Sequence, residues 1–105
     1  MSKDFSSITI VGHVAKDVEM KITEGGLTIT NFSVAVNDYK EGDVDFHNIV
    51  CYKKLAEIAG EYVKKGKQIL VSGRQKNRSY EKDGTKKYFS EIQADNIQLL
   101  GKKDD

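Results

Sequence analysis

The chain is predicted to be all-β: a five-stranded barrel with one α-helix between its third and fourth strands. Three observations predict this. Apolar residues alternate at period two in five separate stretches, the signature of half-buried strands. The period changes once, to helical spacing, near residues 54–65. Gly25-Gly26 and Asp83-Gly84 sit between strand-like stretches, where tight turns need residues that tolerate positive φ. The whole chain, residues 1–105, is the size of one domain with one small core.

The first strand runs over Ser6–Ala15, with Ile8, Ile10 and Val14 on one face, and continues through Val18, Met20 and Ile22. Asp17 between these two sets marks a bend or bulge within one long strand. After the Gly25-Gly26 turn, Leu27–Asn37 is rich in Thr, Val and Ile and reads as the second strand. Asp38–Asp45 is polar and reads as a loop. Phe46–Tyr52 is the third strand, with Ile49, Cys51 and His47 on one face and Phe46, Asn48, Val50 and Tyr52 on the other.

Leu55, Ile58, Ala59, Tyr62 and Val63 then fall on one helical face. Lys64 and Lys65 suit the negative end of that helix, and Gly66 fits just beyond it. Gln68–Tyr80 is the fourth strand and Lys87–Leu100 the fifth. Five strands with a helix between the third and fourth form the oligonucleotide-binding (OB) barrel. Such barrels bind nucleic acid on the face of strands 2 and 3 and the adjoining loops.

Charge is unevenly placed. Net charge is only +1, yet residues 64–87 hold nine of the 17 Lys and Arg and two of the 16 acids, Glu81 and Asp83. In an extended chain Arg74, Lys76, Arg78 and Tyr80 share one face, with Gln75, Asn77 and Ser79 opposite. A row of cations ending in an aromatic ring suits a flexible polyanion whose flat bases can stack. Lysines alone are usually solvated surface. Their combination with Phe46 and Tyr52 on a neighbouring strand makes a stacking platform the sharper reading, and Tyr39 in the polar loop extends it. Asn48, between the two rings of the third strand, and Lys86 and Lys87, past the second turn, complete the candidate DNA-binding set. Phe32, Tyr62 and Phe89 are expected in the core.

The enzyme reading has little to stand on. His13, His47 and Cys51 are separated in sequence and lack metal-ligand spacing, so neither a metal nor a cofactor is expected. Cys51 alternates with Ile49 and reads as a small buried hydrophobe. The glycines are dispersed and form no phosphate-cradling motif. The single cysteine fits a reducing compartment, and the N-terminus shows no signal peptide. No stretch approaches the roughly 20 apolar residues of a membrane span. The expectation is a protein of the cytoplasm or an equivalent reducing space.

The segments ITIVGHVAKDVEMK, TNFSVAVND, FHNIVCYKKLAEIAGEYVKKGKQILVSGRQKNRSY and DNIQLLG resemble, in order, those of the bacterial single-stranded DNA-binding proteins. The third is the most specific: an aromatic-His strand, an LAE helix, a Tyr-x-x-Lys-Gly helix end and a basic strand closing on an aromatic. The resemblance puts Phe46, Tyr52 and Tyr80 at base-stacking positions, Arg74, Lys76 and Arg78 on the basic strand, and Tyr39 near a further stacking position. It implies a homotetramer of barrels that binds single-stranded DNA in replication, recombination and repair. This chain departs in having no Trp at the stacking positions and Val18 where the family often has Pro. The family usually continues into a tail that recruits protein partners. This chain stops at Asp105, so tail-borne recruitment is not expected of it.

The function expected is sequence-tolerant, non-catalytic binding of single-stranded DNA: cations neutralise phosphates and aromatics stack on unpaired bases. A rival reading is an oligomeric barrel serving as a protein-interaction module, its basic strand meeting an acidic partner. RNA is a more distant alternative, because stacking does not itself exclude the 2′-hydroxyl.

Overall fold

A computed structural model describes residues 6–37 and 42–101. Six strands and one helix follow in order: β1 (Ile8–Val14), β2 (Glu19–Ile22), β3 (Thr28–Asn37), β4 (Val44–Tyr52), α1 (Lys53–Tyr62), β5 (Gln68–Lys82) and β6 (Thr85–Leu100). The sixth strand arises because the long first strand breaks at the bend foreseen near Asp17, giving β1 and β2. The barrel of five is therefore retained.

The sheet order is β1-β5-β6-β4-β3-β2, and a β1–β3 pairing closes it into a ring. Closure rests on two glycines. A Cβ on Gly12 would stand 2.3 Å from the Ala35 carbonyl oxygen, where β1 crosses onto β3. One on Gly73 would stand 2.1 Å from the Gln93 carbonyl oxygen. Real Cβ atoms do not approach backbone this closely, so only glycine lets the strands meet there. At Gly73 the β5–β6 register also shifts, from Ser72 opposite Asn96 to Gly73 opposite Ala94. The extra residue, Asp95, is a bulge in β6, and bulges bend strands at barrel corners.

Inward-facing residues of every ring strand make the core: Val14, Phe32, Val34, Ile49, Cys51, Ile69, Val71, Ile92 and Ala94. Ala56, Ala59 and Val63 of the helical segment close it from one end. Thr30 is fully buried, and its hydroxyl donates 2.6 Å to the Ala56 carbonyl, so a polar group tethers sheet to helix without being left unsatisfied.

The helix is shorter than expected and turned differently. It ends at Tyr62, and Val63 is already extended, so Lys64 and Lys65 lie beyond the helical end. Ile58 and Tyr62 are exposed, Tyr62 by 56%, which corrects the core assignment of that ring. The small side chains of Ala56 and Ala59 let the helix sit close on the barrel. A stripe built around them leaves Ile58 and Tyr62 at its margin. Phe32 is buried as expected, with 5% of its surface exposed.

Candidate nucleic-acid interface

Register decides which side chains share a face. Val50 of β4 pairs with Gln93 of β6, and Gln93 pairs with Arg74 of β5. Residues opposite one another in a ladder point to the same side, and alternation carries the assignment along each strand. Phe46, Asn48 and Tyr52 therefore stand on the same outer face as Arg74, Lys76, Arg78 and Tyr80. On β6 that face carries Lys87 opposite Tyr80, Phe89 opposite Arg78, and Glu91 opposite Lys76. Ser33 and Ala35 of β3, opposite Asn48 and Phe46, extend it.

The aromatic groups on this face differ in freedom. Phe46 is 66% exposed. Tyr80 and Phe89 are exposed and meet edge to face, with ring centroids 6.0 Å apart. Such a pair is a preformed hydrophobic surface whose rings partly fix each other. Tyr52 is half-buried, and its hydroxyl accepts a hydrogen bond from Arg78 Nη2 at 3.1 Å. Val50, between Asn48 and Tyr52 in alternation, is buried yet stands outside the core cluster, as the floor of the outer face.

The cations differ too. Arg78 donates through Nε to the Glu91 carboxylate and forms an ion pair with it. That hydrogen bond and the carboxylate's charge hold the Arg78 guanidinium above its usual range. Arg74 and Lys76 make no such pair among the described residues. The positive row thus contains one cation already neutralised in place, and the two nearer the barrel remain available to an anion.

Residues 74–91 of β5 and β6 run beyond the core as a two-stranded arm. Nearly all of its side chains are exposed on both faces. Its tip is closed by Asp83 and Gly84, at φ 53° and 76°. Two successive positive φ values are those of a type I′ turn, whose twist matches the strands it joins. Lys86 lies opposite Glu81 and shares a face with Tyr88, its Nζ 5.8 Å from that ring's centroid. This is the side of the arm away from Lys87, so the two adjacent lysines do not act on one surface.

Tyr39 lies outside the described residues. Three features escaped the sequence reading. Phe89, expected in the core, is exposed beside Tyr80. Tyr88 stands out on the other face. Glu91 sits within the basic face. The signal for Phe89 and Glu91 was the alternation of Lys87, Phe89 and Glu91, legible once the hairpin register is known. Among the described residues, no group of three or more His, Cys, Asp or Glu could hold a metal ion. No helix among them is long and apolar enough to cross a membrane. Cys51 is fully buried, and desolvation pushes its thiol up to about 12. It is chemically quiet at neutral pH.

Known proteins share this fold and much of this sequence. The model of the single-strand binding protein family matches residues 5–100. Single-stranded DNA-binding protein 1 of Chlorobaculum tepidum is 34% identical over 99% of this chain and 70% of its own length. The single-stranded DNA-binding protein of Xylella fastidiosa is 36% identical over the whole of this chain and 69% of its own. Among solved structures, the Plasmodium falciparum SSB complex with ssDNA superposes with a TM-score of 0.87 at 24% identity. The match covers 96% of this chain and 99% of that one, a likeness of fold.

Proposed function

The chain belongs to the single-strand binding protein family, and from that premise we propose that its outer face binds single-stranded DNA without catalysis and with little regard for sequence. The observation that carries the reading is the placement of Phe46, Tyr80 and Phe89 on the same face as Arg74 and Lys76. Cations beside a flexible strand neutralise phosphates and release counterions. Exposed rings offer π-faces to unpaired bases, and every base has such a face, so contact does not depend on identity. A duplex hides its base faces in the stack. Preference for single strands therefore comes from the aromatics, and salt dependence from the cations.

Asn48, Tyr52, Arg78 and Lys87 lie on the same face and supply its polar rim. Lys86, on the reverse of the arm, reaches only a strand that passes round the arm's edge. The family resemblance extends the proposal to a homotetramer, with DNA running across several barrels in the cytoplasm at the nucleoid. Replication, recombination and repair are the processes that expose such strands.

The test is a salt-titrated binding assay against oligo-dT, duplex DNA and RNA of equal length. Single-stranded DNA is expected to bind most tightly, with a linear fall of log affinity against log salt. Equal affinity for duplex and single strand at moderate salt would overturn the proposal. Light scattering of the free protein reports the oligomeric state.

A further inference from the structure

Lys86, Lys87, Tyr88 and Phe89 follow one another on β6, and alternation sends successive side chains to opposite faces. Each face of the arm therefore receives one cation and one ring. Lys87 and Phe89 join Arg74, Lys76 and Tyr80 on the outer face. Lys86 and Tyr88 stand on the reverse, opposite Glu81 and Ser79 of β5, and Ser90 opposite Asn77 continues that face towards the barrel. Tyr88 is 73% exposed, the most open large apolar or aromatic side chain among the described residues. The Lys86 ammonium lies 5.8 Å from its ring centroid, so a positive charge and a flat π-face are offered together.

We propose that the reverse face of the arm is a second stacking site for the same DNA strand, which passes round the free edge of β6 from the outer face to Tyr88. The inference rests on the single-strand reading above and extends it to a surface outside the outer face. Among the described residues, β6 pairs along the arm only with β5, until β4 joins it at Ile92 and Gln93. Its other edge is open over residues 85–91, and an open edge presents backbone N–H groups. Those donors can hold phosphate oxygens as the backbone crosses from one face to the other. Lys87 and Lys86, adjacent in the chain, then neutralise the strand on either side of the crossing.

The surroundings of Tyr88 favour a nucleic acid over a second polypeptide. A protein interface buries its aromatic anchor in a well-packed, desolvated pocket. Around Tyr88 stand Ser79, Asn77, Ser90 and the charged side chains of Lys86 and Glu81, all exposed. A base stacks on one open ring without such a pocket, and because every base has a π-face the contact stays sequence-tolerant. Glu81 opposes phosphate on this face. Contact here is therefore weaker than on the outer face, and a strand already anchored there makes it.

The chain has no Trp, so one introduced indole reports on one position. Tyr88→Trp probes the reverse face and Tyr80→Trp the outer face. Both sites are exposed, so substitution spares the core. Each full-chain variant is titrated with oligo-dT of about 4 to 16 nucleotides, the range that one such barrel occupies. Stacking on a base quenches indole fluorescence. The Tyr80→Trp signal should fall by about half at every length, and the Tyr88→Trp signal should fall as far only with the longer oligonucleotides. Tyr88→Ala should weaken binding of the longest roughly fivefold, the least that one base–aromatic stack contributes, and leave the shortest unchanged. Glu81→Gln should strengthen binding of the longest alone. An unquenched Tyr88→Trp variant, at saturation with a long oligonucleotide that quenches Tyr80→Trp, would overturn the proposal. So would Tyr88→Trp emission that changes with protein concentration in the absence of DNA, which would assign the reverse face to a second copy of the chain. Loss of quenching in both variants would instead overturn the single-strand reading beneath it.

Discussion

The near and far halves of the β5–β6 hairpin are one continuous ladder and behave as two materials. Near the barrel, Ile69, Val71 and Gly73 are buried and alternate with more exposed neighbours. Beyond Gly73 the same alternation continues, but the inward positions become Gln75, Asn77 and Ser79, all exposed. Both halves are antiparallel β5–β6 ladder, and they meet at the register shift between Ser72 and Gly73. The difference is a second layer: the near half faces other strands of the ring, and the far half has outrun them. Where a sheet has a partner layer its apolar side chains hold the fold. Where the layer ends, the same geometry presents rings and cations to solvent at regular spacing. The bulge at Asp95 marks the join.

The largest effect should separate core from face by stability. Phe32→Ala should cost about 3–5 kcal/mol of folding free energy, and Ile69→Ala about 2–5, as buried groups leaving cavities. Thermal melts should show this, with the folded fraction still binding DNA. Tyr62→Ala, on an exposed ring, should barely move the melt. If it unfolds the protein, the Tyr62 ring is packed against the barrel and the helix is seated on that side.

Next comes binding. Phe46→Ala, Tyr80→Ala and Phe89→Ala should each cost roughly 1–3 kcal/mol in single-strand affinity, the range for base–aromatic stacking, with little change in melting. Tyr52→Ala should affect both, because its hydroxyl also holds Arg78. A Phe89→Ala protein that binds normally would show that the arm's ring pair merely covers surface and does not meet bases.

A smaller effect sorts the cations. Losing Arg74 or Lys76 should flatten the log–log salt dependence by roughly 0.7 for each phosphate contact removed. Arg78→Ala should flatten it less, since Glu91 already neutralises that cation. Glu91→Gln should steepen it by freeing Arg78. Equal slopes for all three cation variants would mean that DNA displaces the carboxylate.

The smallest concerns the barrel interior. The Cys51 thiol ionises near its ordinary value of 9.0 once the chain unfolds, but only near 12 when buried. Between these pH values the unfolded chain has released a proton that the fold keeps, so this residue lowers stability as pH rises. The slope is up to about 1.4 kcal/mol per pH unit. Denaturant titrations of wild type and Cys51→Ala from pH 8 to 11 should therefore converge. A constant difference would mean that the thiol reaches solvent in the folded state.

How much of this was legible beforehand depended on range. Strand alternation, the turn at Asp83-Gly84 and the helical segment are local, so their signals lie within a few residues. The shared face of Phe46, Asn48 and Tyr52, and that of Arg74, Lys76, Arg78 and Tyr80, followed from period two alone. That these two faces are one required the β4–β6 pairing, between segments some forty residues apart. Phe89 was misassigned because an apolar residue in an alternating strand looks identical whether or not a second layer lies beneath it. Tyr62 was misassigned because helical periodicity identifies an apolar side, while the packed depth of Ala56 and Ala59 decides where that side ends.

By itself, then, the sequence determined the element types, the placement of positive charge and the identity of the stacking and cationic rows. These depend on backbone stereochemistry and on which side chains sit two or four residues apart. Tertiary structure alone decided that Glu91 neutralises Arg78, that Tyr80 and Phe89 meet as a ring pair on the barrel's arm, and that β4 and β6 part to leave a cleft beside Phe46. Each depends on cross-strand register and on where a layer ends. Those are set by the closure of the whole ring, and no local window of residues contains them.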